Sequence, residues 1–273
     1  MTGREFAKAL REGRNVFGTS MSSTSPIWPK VVKKTGVDFV FIDTEHYPND
    51  RSTVSWMCQT YRALGIPPVV RVTAPDPYQA CAAVDGGACG VVMPYVETAH
   101  QVKDLVGAAK LRPIKGQRLK EILEDPGRLD VELAHYIDQF NYDNAVIVNI
   151  ESVPAIENLD EILDVPGLDA VQVGPHDLSV SMGIPEQYDH PRFDEAIRNI
   201  ITKARAKGVG ACVHFFWEDM GREIEWIKAG ANMHIHGADV RLFERALRGD
   251  LEKLRSRLGV EKEYSEPEEA TIV

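Results

Sequence analysis

No run in this 273-residue chain approaches the roughly 20 consecutive apolar residues that a membrane-spanning helix needs. Basic residues are outnumbered, with 31 Lys and Arg against 41 Asp and Glu for a net charge of -10. That balance argues against a nucleic-acid or anionic-membrane surface, though not against a local basic pocket for a small anion. Cysteine is scarce: Cys58, Cys81, Cys89 and Cys212 form no CxxC pair and no disulfide-dense pattern, and read as reduced, mostly buried thiols of a cytoplasmic protein. The N-terminal segment Thr2–Arg11 lacks the apolar core of a secretion signal, and Phe6 and Leu10 recur at helical spacing instead. There is no low-complexity tract and no repeat beyond the one described next.

What the chain does have is alternation. Eight short apolar runs, at 16–20, 39–43, 69–72, 90–93, 145–150, 170–173, 210–214 and 233–237, are separated by amphipathic segments. Strands alternating with helical patterns imply parallel βαβ units. Eight of them fit a closed (β/α)8 TIM barrel, an α/β fold, better than an open sheet. Residues 1–258 are expected to form this single domain, with a C-terminal helix over Val240–Leu258. Residues 259–273, acidic and polar, are expected to be a disordered tail. The longest irregular connection, Leu111–Asn144, is expected to hold one or two helices near Val131–Asn141, and its length suggests a lid or subunit contact.

Two of the buried-strand runs end in acids. Glu151 closes Val146–Ile150, and Asp177 follows Val171–Val173 by a short turn. Neighbouring parallel strands lie roughly 5 Å apart, so the two carboxylates can point into one place and share a hard divalent cation. Either acid alone could simply cap the helix that follows; the pair in register favours the site.

Barrel enzymes build their active sites at the C-terminal ends of the strands. Read there, the second strand ends in Asp43-Thr-Glu-His46, the third in Arg71, the fifth in Glu151 and the sixth in Gly174-Pro-His-Asp177, while Asp85 precedes the fourth and Pro94 follows it. These segments, with Val92-Met-Pro94, Glu157–Ile162 and Gly174–Ser179 in this order and spacing, resemble the HpcH/HpaI aldolase family. The resemblance runs from about Phe17 to Leu258.

The resemblance implies a metal-dependent carbon–carbon lyase. It would cleave a 4-hydroxy-2-keto acid to pyruvate, or a related 2-keto acid, and an aldehyde. Glu151 and Asp177 would hold Mg2+, Mn2+ or Co2+. Arg71 would hold the keto oxygen, and His46, with Asp85 as its carboxylate partner, would move the proton. The turn at Gly174 and Pro175 would offer backbone N–H groups to the substrate carboxylate. A homo-oligomer, commonly a hexamer with exchanged C-terminal helices, is also implied; the helix could equally pack on its own barrel. An oxaloacetate-type decarboxylase or a malyl- or citramalyl-CoA-type lyase is the alternative on the same scaffold.

Three departures from the family pattern concern the pocket. Arg118 is retained as a substrate contact, but the glycine usual after it is missing. Asn149 stands where Gln is common. His214, His234 and His236 occupy the ends of the last two strands; His234 and His236 share one face of their strand. With His214 they could line the pocket and bind an anionic or hydroxylated acceptor, His214 and His236 being the substrate-binding candidates; a second metal site is the lesser reading, and for any one of them alone the first expectation is a hydrogen-bonded, partly buried histidine. Asp43 and Glu45 are left open between orienting His46, orienting a water and capping a helix.

Overall fold

A computed structural model describes residues 1–216 and 220–260. The apolar runs become eight strands: β1 (Val16–Ser20), β2 (Phe39–Asp43), β3 (Pro68–Arg71), β4 (Gly90–Met93), β5 (Ala145–Ile150), β6 (Ala170–Val173), β7 (Gly210–Phe215) and β8 (Met233–Ala238). Each pairs parallel with the next and β8 pairs with β1, closing the barrel. Helices between the strands return the chain to the starting face, as parallel pairing requires.

Alternation along each strand decides what the interior holds. Val16, Phe39, Phe41, Val69, Val92, Ala145, Ile147, Ala170, Cys212, Met233 and Ile235 point inward as one cluster. The helix Gly3–Glu12 closes the amino-terminal mouth with Phe6, Ala9 and Leu10 in that cluster. Burying Phe6 and Leu10 stabilises the plug by roughly 1.5–3 kcal/mol each. A capping box between Thr2 and Glu5 starts this helix, and Gly13 in the left-handed region ends it. The outward residues of the strands pack against the surrounding helices. With one mouth plugged, the carboxyl ends of the strands are the open face.

The long connection holds two helices, Gly116–Glu124 and Val131–Asn141, separated by a 3-10 turn at Pro126–Arg128. The amphipathic segment before β8 forms the helix Gly221–Lys228, and 217–219 lie outside the described residues. So do residues 261–273, where the acidic tail was expected. The last helix, Asp239–Leu258, does not bury its apolar stripe on its own barrel: Val240, Leu247, Leu251 and Leu254 are exposed, Phe243 at 61% and Leu258 at 73%. Among the described residues no helix is long and apolar enough to cross a membrane.

Candidate active site at the carboxyl ends of the strands

Glu151 directly follows β5 and is 5% exposed. Its Oε1 accepts the Tyr95 backbone N–H at 2.6 Å and its Oε2 accepts Asn149 Nδ2 at 2.7 Å. Burial pushes its carboxyl up to about 7 against those hydrogen bonds, and the negative charges of Asp177 and Glu45 push the same way. Asp177 is half-buried in the first turn of the helix Pro175–Ser181, which follows β6 through Gly174. The two carboxylates converge on Gly174: a Cβ there would stand 2.7 Å from Glu151 Oε2 and 3.6 Å from Asp177 Oδ2. Glycine is needed for that closeness, not for backbone freedom, since its φ of -89° suits any residue.

A second buried acid shows what a purely structural carboxylate looks like here. Asp169, 0% exposed at the opposite mouth, pairs with Arg11 and with Lys110 at 2.5 Å, and accepts the Val146 N–H at 2.8 Å. Glu151 and Asp177 have no such cationic partner among the described residues; the nearby guanidinium of Arg71 is held by other acids. Two carboxylates crowded in a low-dielectric site are relieved either by a proton or by a cation. The donor set is two carboxylates, and no cluster of three or more His, Cys, Asp or Glu able to hold a metal occurs among the described residues. That suits a hard ion of the magnesium type, which keeps several waters and takes one or two protein carboxylates.

Gly174→Ala tests the geometry. Its Cβ would displace Glu151 Oε2 without straining the backbone, so Mn2+ affinity by titration calorimetry is expected to fall about tenfold or more with the fold intact. Unchanged affinity would show that the carboxylates do not meet there.

Arg71 ends β3 and is 7% exposed. Its Nε and Nη2 donate to Asp43 Oδ1 and Oδ2 at 2.8 and 2.7 Å, and Nη1 lies 3.0 Å from Glu45 Oε2. Asp43 and Arg71 are register partners on adjacent strands, which sets this fork. Burial would raise the Asp43 carboxyl, but the Arg71 hydrogen bonds and charge overcome it and hold the group below its usual value. A guanidinium carries five N–H donors, so the clamp leaves others to face a ligand. Asp43 and Glu45 thus orient Arg71, a role outside the three that their place in the sequence offers.

His46 is exposed on the loop after β2, within electrostatic reach of Asp43 and His214. His214 points inward from β7, its ring edge-on to Phe41 at 5.6 Å. Burial first, then the Arg71 guanidinium, pushes it down to about 4, so it is neutral near pH 7 and offers hydrogen bonds, not charge.

Three expected site residues, Asp85, Arg118 and His236, are not brought together with the rest, and neither is His234. Asp85 is the last residue of the helix Pro77–Asp85, which runs antiparallel to the strands, so it lies towards the amino-terminal mouth and pairs with Arg112 at 2.6 Å. No His46–Asp85 dyad forms within one chain; a residue that precedes a strand sits at the wrong end of it. Arg118 is exposed on Gly116–Glu124, 4.0 Å from Asp130. His236 and His234 face away from the interior, because Met233 and Ile235 occupy the inward positions of β8. His236 Nδ1 lies 2.8 Å from Glu223 Oε2, and His234 Nε2 lies 3.0 Å from Asn15 Oδ1 with its ring against Phe17.

Two residues of the site were missed as such. Asn149, noted only as a departure, holds Glu151; two residues earlier on the same strand, it shares a face with it, a signal legible in the spacing. Tyr95 gave none, since a left-handed backbone cannot be read from a tyrosine. Its phenol is pushed up to about 12, first by its hydrogen bond to Glu45 and then by burial.

A parallel eight-stranded barrel whose carboxyl-end rim gathers an acid pair beside a clamped arginine has the layout of a barrel enzyme. The chain belongs to the HpcH/HpaI aldolase/citrate lyase family, whose profile matches residues 18–246. It is 32% identical to 2-keto-3-deoxy-L-rhamnonate aldolase of Salmonella gallinarum over 254 residues, covering 92% of this chain and 93% of the relative. The Escherichia coli K12 protein of the same name is also 32% identical, over 243 residues, 89% and 90% of the two chains. Among solved structures, a citrate synthase superposes with a TM-score of 0.78 at 28% identity, covering 92% of this chain and 97% of that one. The chain is accordingly a carbon–carbon lyase.

Proposed function

We propose that this enzyme cleaves a 4-hydroxy-2-keto acid to pyruvate and an aldehyde, with a divalent cation held by Glu151 and Asp177. The observation that carries this is the convergence of two uncompensated carboxylates on Gly174. When bound, the cation supplies Lewis acidity, offsetting the negative charge that develops on the keto acid as the carbon–carbon bond breaks.

The chain's own residues supply the rest. Arg71, fixed by Asp43 and Glu45, turns its remaining N–H groups towards the C2 keto oxygen. Backbone N–H groups at the start of Pro175–Ser181 have no helical acceptor and hold the substrate carboxylate. His46 takes the C4 hydroxyl proton as the C3–C4 bond breaks, its electron pair moving towards the C2 oxygen. The aldehyde leaves, and protonation at C3 gives pyruvate. His214 supplies a neutral wall near Arg71. The 2-keto-3-deoxy-L-rhamnonate aldolases at 32% identity support a hydroxylated keto acid as substrate. The exposed stripe of Asp239–Leu258 supports a homo-oligomer, a second copy of the chain being the occupant of matching apolar character.

The test is pyruvate release from a panel of 4-hydroxy-2-keto acids by chelator-stripped protein. Activity is expected to be absent, to appear with Mn2+ or Mg2+, and to vanish again with chelator. Decarboxylation of oxaloacetate with no cleavage of any hydroxy keto acid would replace this reading with the decarboxylase alternative.

A further inference from the structure

The loop after β4 contains an expense that holding the metal acid explains only in part. Tyr95 adopts a φ of +56°, one of two non-glycine residues in the left-handed region among those described. That region disfavours residues with a Cβ, and glycine would enter it freely. The neighbours enforce it: Val96 is buried, Glu97 accepts from Ser152 Oγ at 2.7 Å, and Gln101 Oε1 accepts the N–H groups of Glu97 and Thr98 at 2.9 and 3.0 Å. The conformation aims the Tyr95 N–H at Glu151, which glycine would do as well. The side chain therefore needs its own explanation.

Its surroundings supply one. Tyr95 is 52% exposed and lies at the mouth of the site, its N–H on Glu151 at 2.6 Å and Glu45 and Asp177 within electrostatic reach. Glu45, the acid that acts most strongly on its phenol, is itself anchored on Arg71. The phenol oxygen keeps acceptor capacity for an incoming O–H, while the ring presents an apolar face. Acids around the mouth disfavour an anionic acceptor. A small neutral aldehyde with a hydroxyl beside its carbonyl matches these three features.

Building on the lyase reading, we propose that Tyr95 is a specificity-determining residue: its ring walls the acceptor subsite and its phenol oxygen accepts a hydrogen bond from a hydroxyl on the aldehyde half of the substrate. The experiment compares wild type, Tyr95→Phe and Tyr95→Gly, each loaded with Mn2+, in the condensation of pyruvate with 2-hydroxypropanal or with propanal. Tyr95→Phe keeps the ring and the backbone, and is expected to lower the preference for the hydroxylated aldehyde about tenfold, the loss of one hydrogen bond, through the KM of that aldehyde. Tyr95→Gly is expected to raise KM for both aldehydes. An unchanged preference in Tyr95→Phe overturns the proposal. Wild type that condenses neither aldehyde overturns the lyase reading instead. Saturation-transfer NMR then decides Tyr95 separately: a weaker 2-hydroxypropanal signal in Tyr95→Phe supports its role, and equal signals refute it.

Discussion

Glu151→Gln, loaded with Mn2+ and incubated with pyruvate in deuterium oxide, is expected to exchange the methyl protons at least about 10³-fold more slowly than wild type. Lewis-acid stabilisation of the developing charge supplies several kcal/mol, and each 1.4 kcal/mol is about tenfold in rate. The substitution keeps the shape of the side chain and its bond with Asn149 can re-form, so the loss reports charge. The same change should stabilise the metal-free protein. Burial raises the folded-state value of Glu151 from 4.5 to about 7, so the folded state is favoured with the group protonated. That advantage is intact below about 4.5 and is lost as pH rises towards 7, a penalty of roughly 3 kcal/mol at higher pH. Thermal melts of the two apoproteins should therefore agree at pH 4 and diverge at pH 8, with Glu151→Gln melting higher. A residue whose removal stabilises the fold and silences the chemistry is there for the chemistry.

The second large effect is at Arg71. Arg71→Lys keeps a charge but loses the bidentate fork on Asp43. It is expected to lower kcat by about 10²–10³, the cost of one misplaced oxyanion donor, with a smaller change in KM. Arg71→Met goes further, leaving Asp43 and Glu45 buried without a counter-charge, and should destabilise the fold by about 3–5 kcal/mol in urea unfolding. Equal stability of Arg71→Met and wild type would mean that the clamp is not what holds those acids.

The barrel was legible because its signal is local: apolar runs of strand length, and Gly or Pro between them. The acid pair was legible because register and strand-end position follow from chain order alone. Asp85 shows where that reasoning stops: its place before a strand puts it at the other mouth of its own barrel, paired with Arg112, so chain order alone does not bring it to His46. His236 shows a second limit. A period of two says that His234 and His236 share a face, but not which face, and the inward positions belong to Met233 and Ile235. The Arg71 clamp joins residues 28 positions apart, and Tyr95 reaches Glu151 across 56. Neither leaves a mark in local composition.

The most direct measurement is an anomalous difference map from crystals soaked in Mn2+. One peak per chain is predicted, between the carboxylates of Glu151 and Asp177 beside Gly174, and its loss in Glu151→Gln. A map with no peak there, or with manganese bound only elsewhere, would contradict the account.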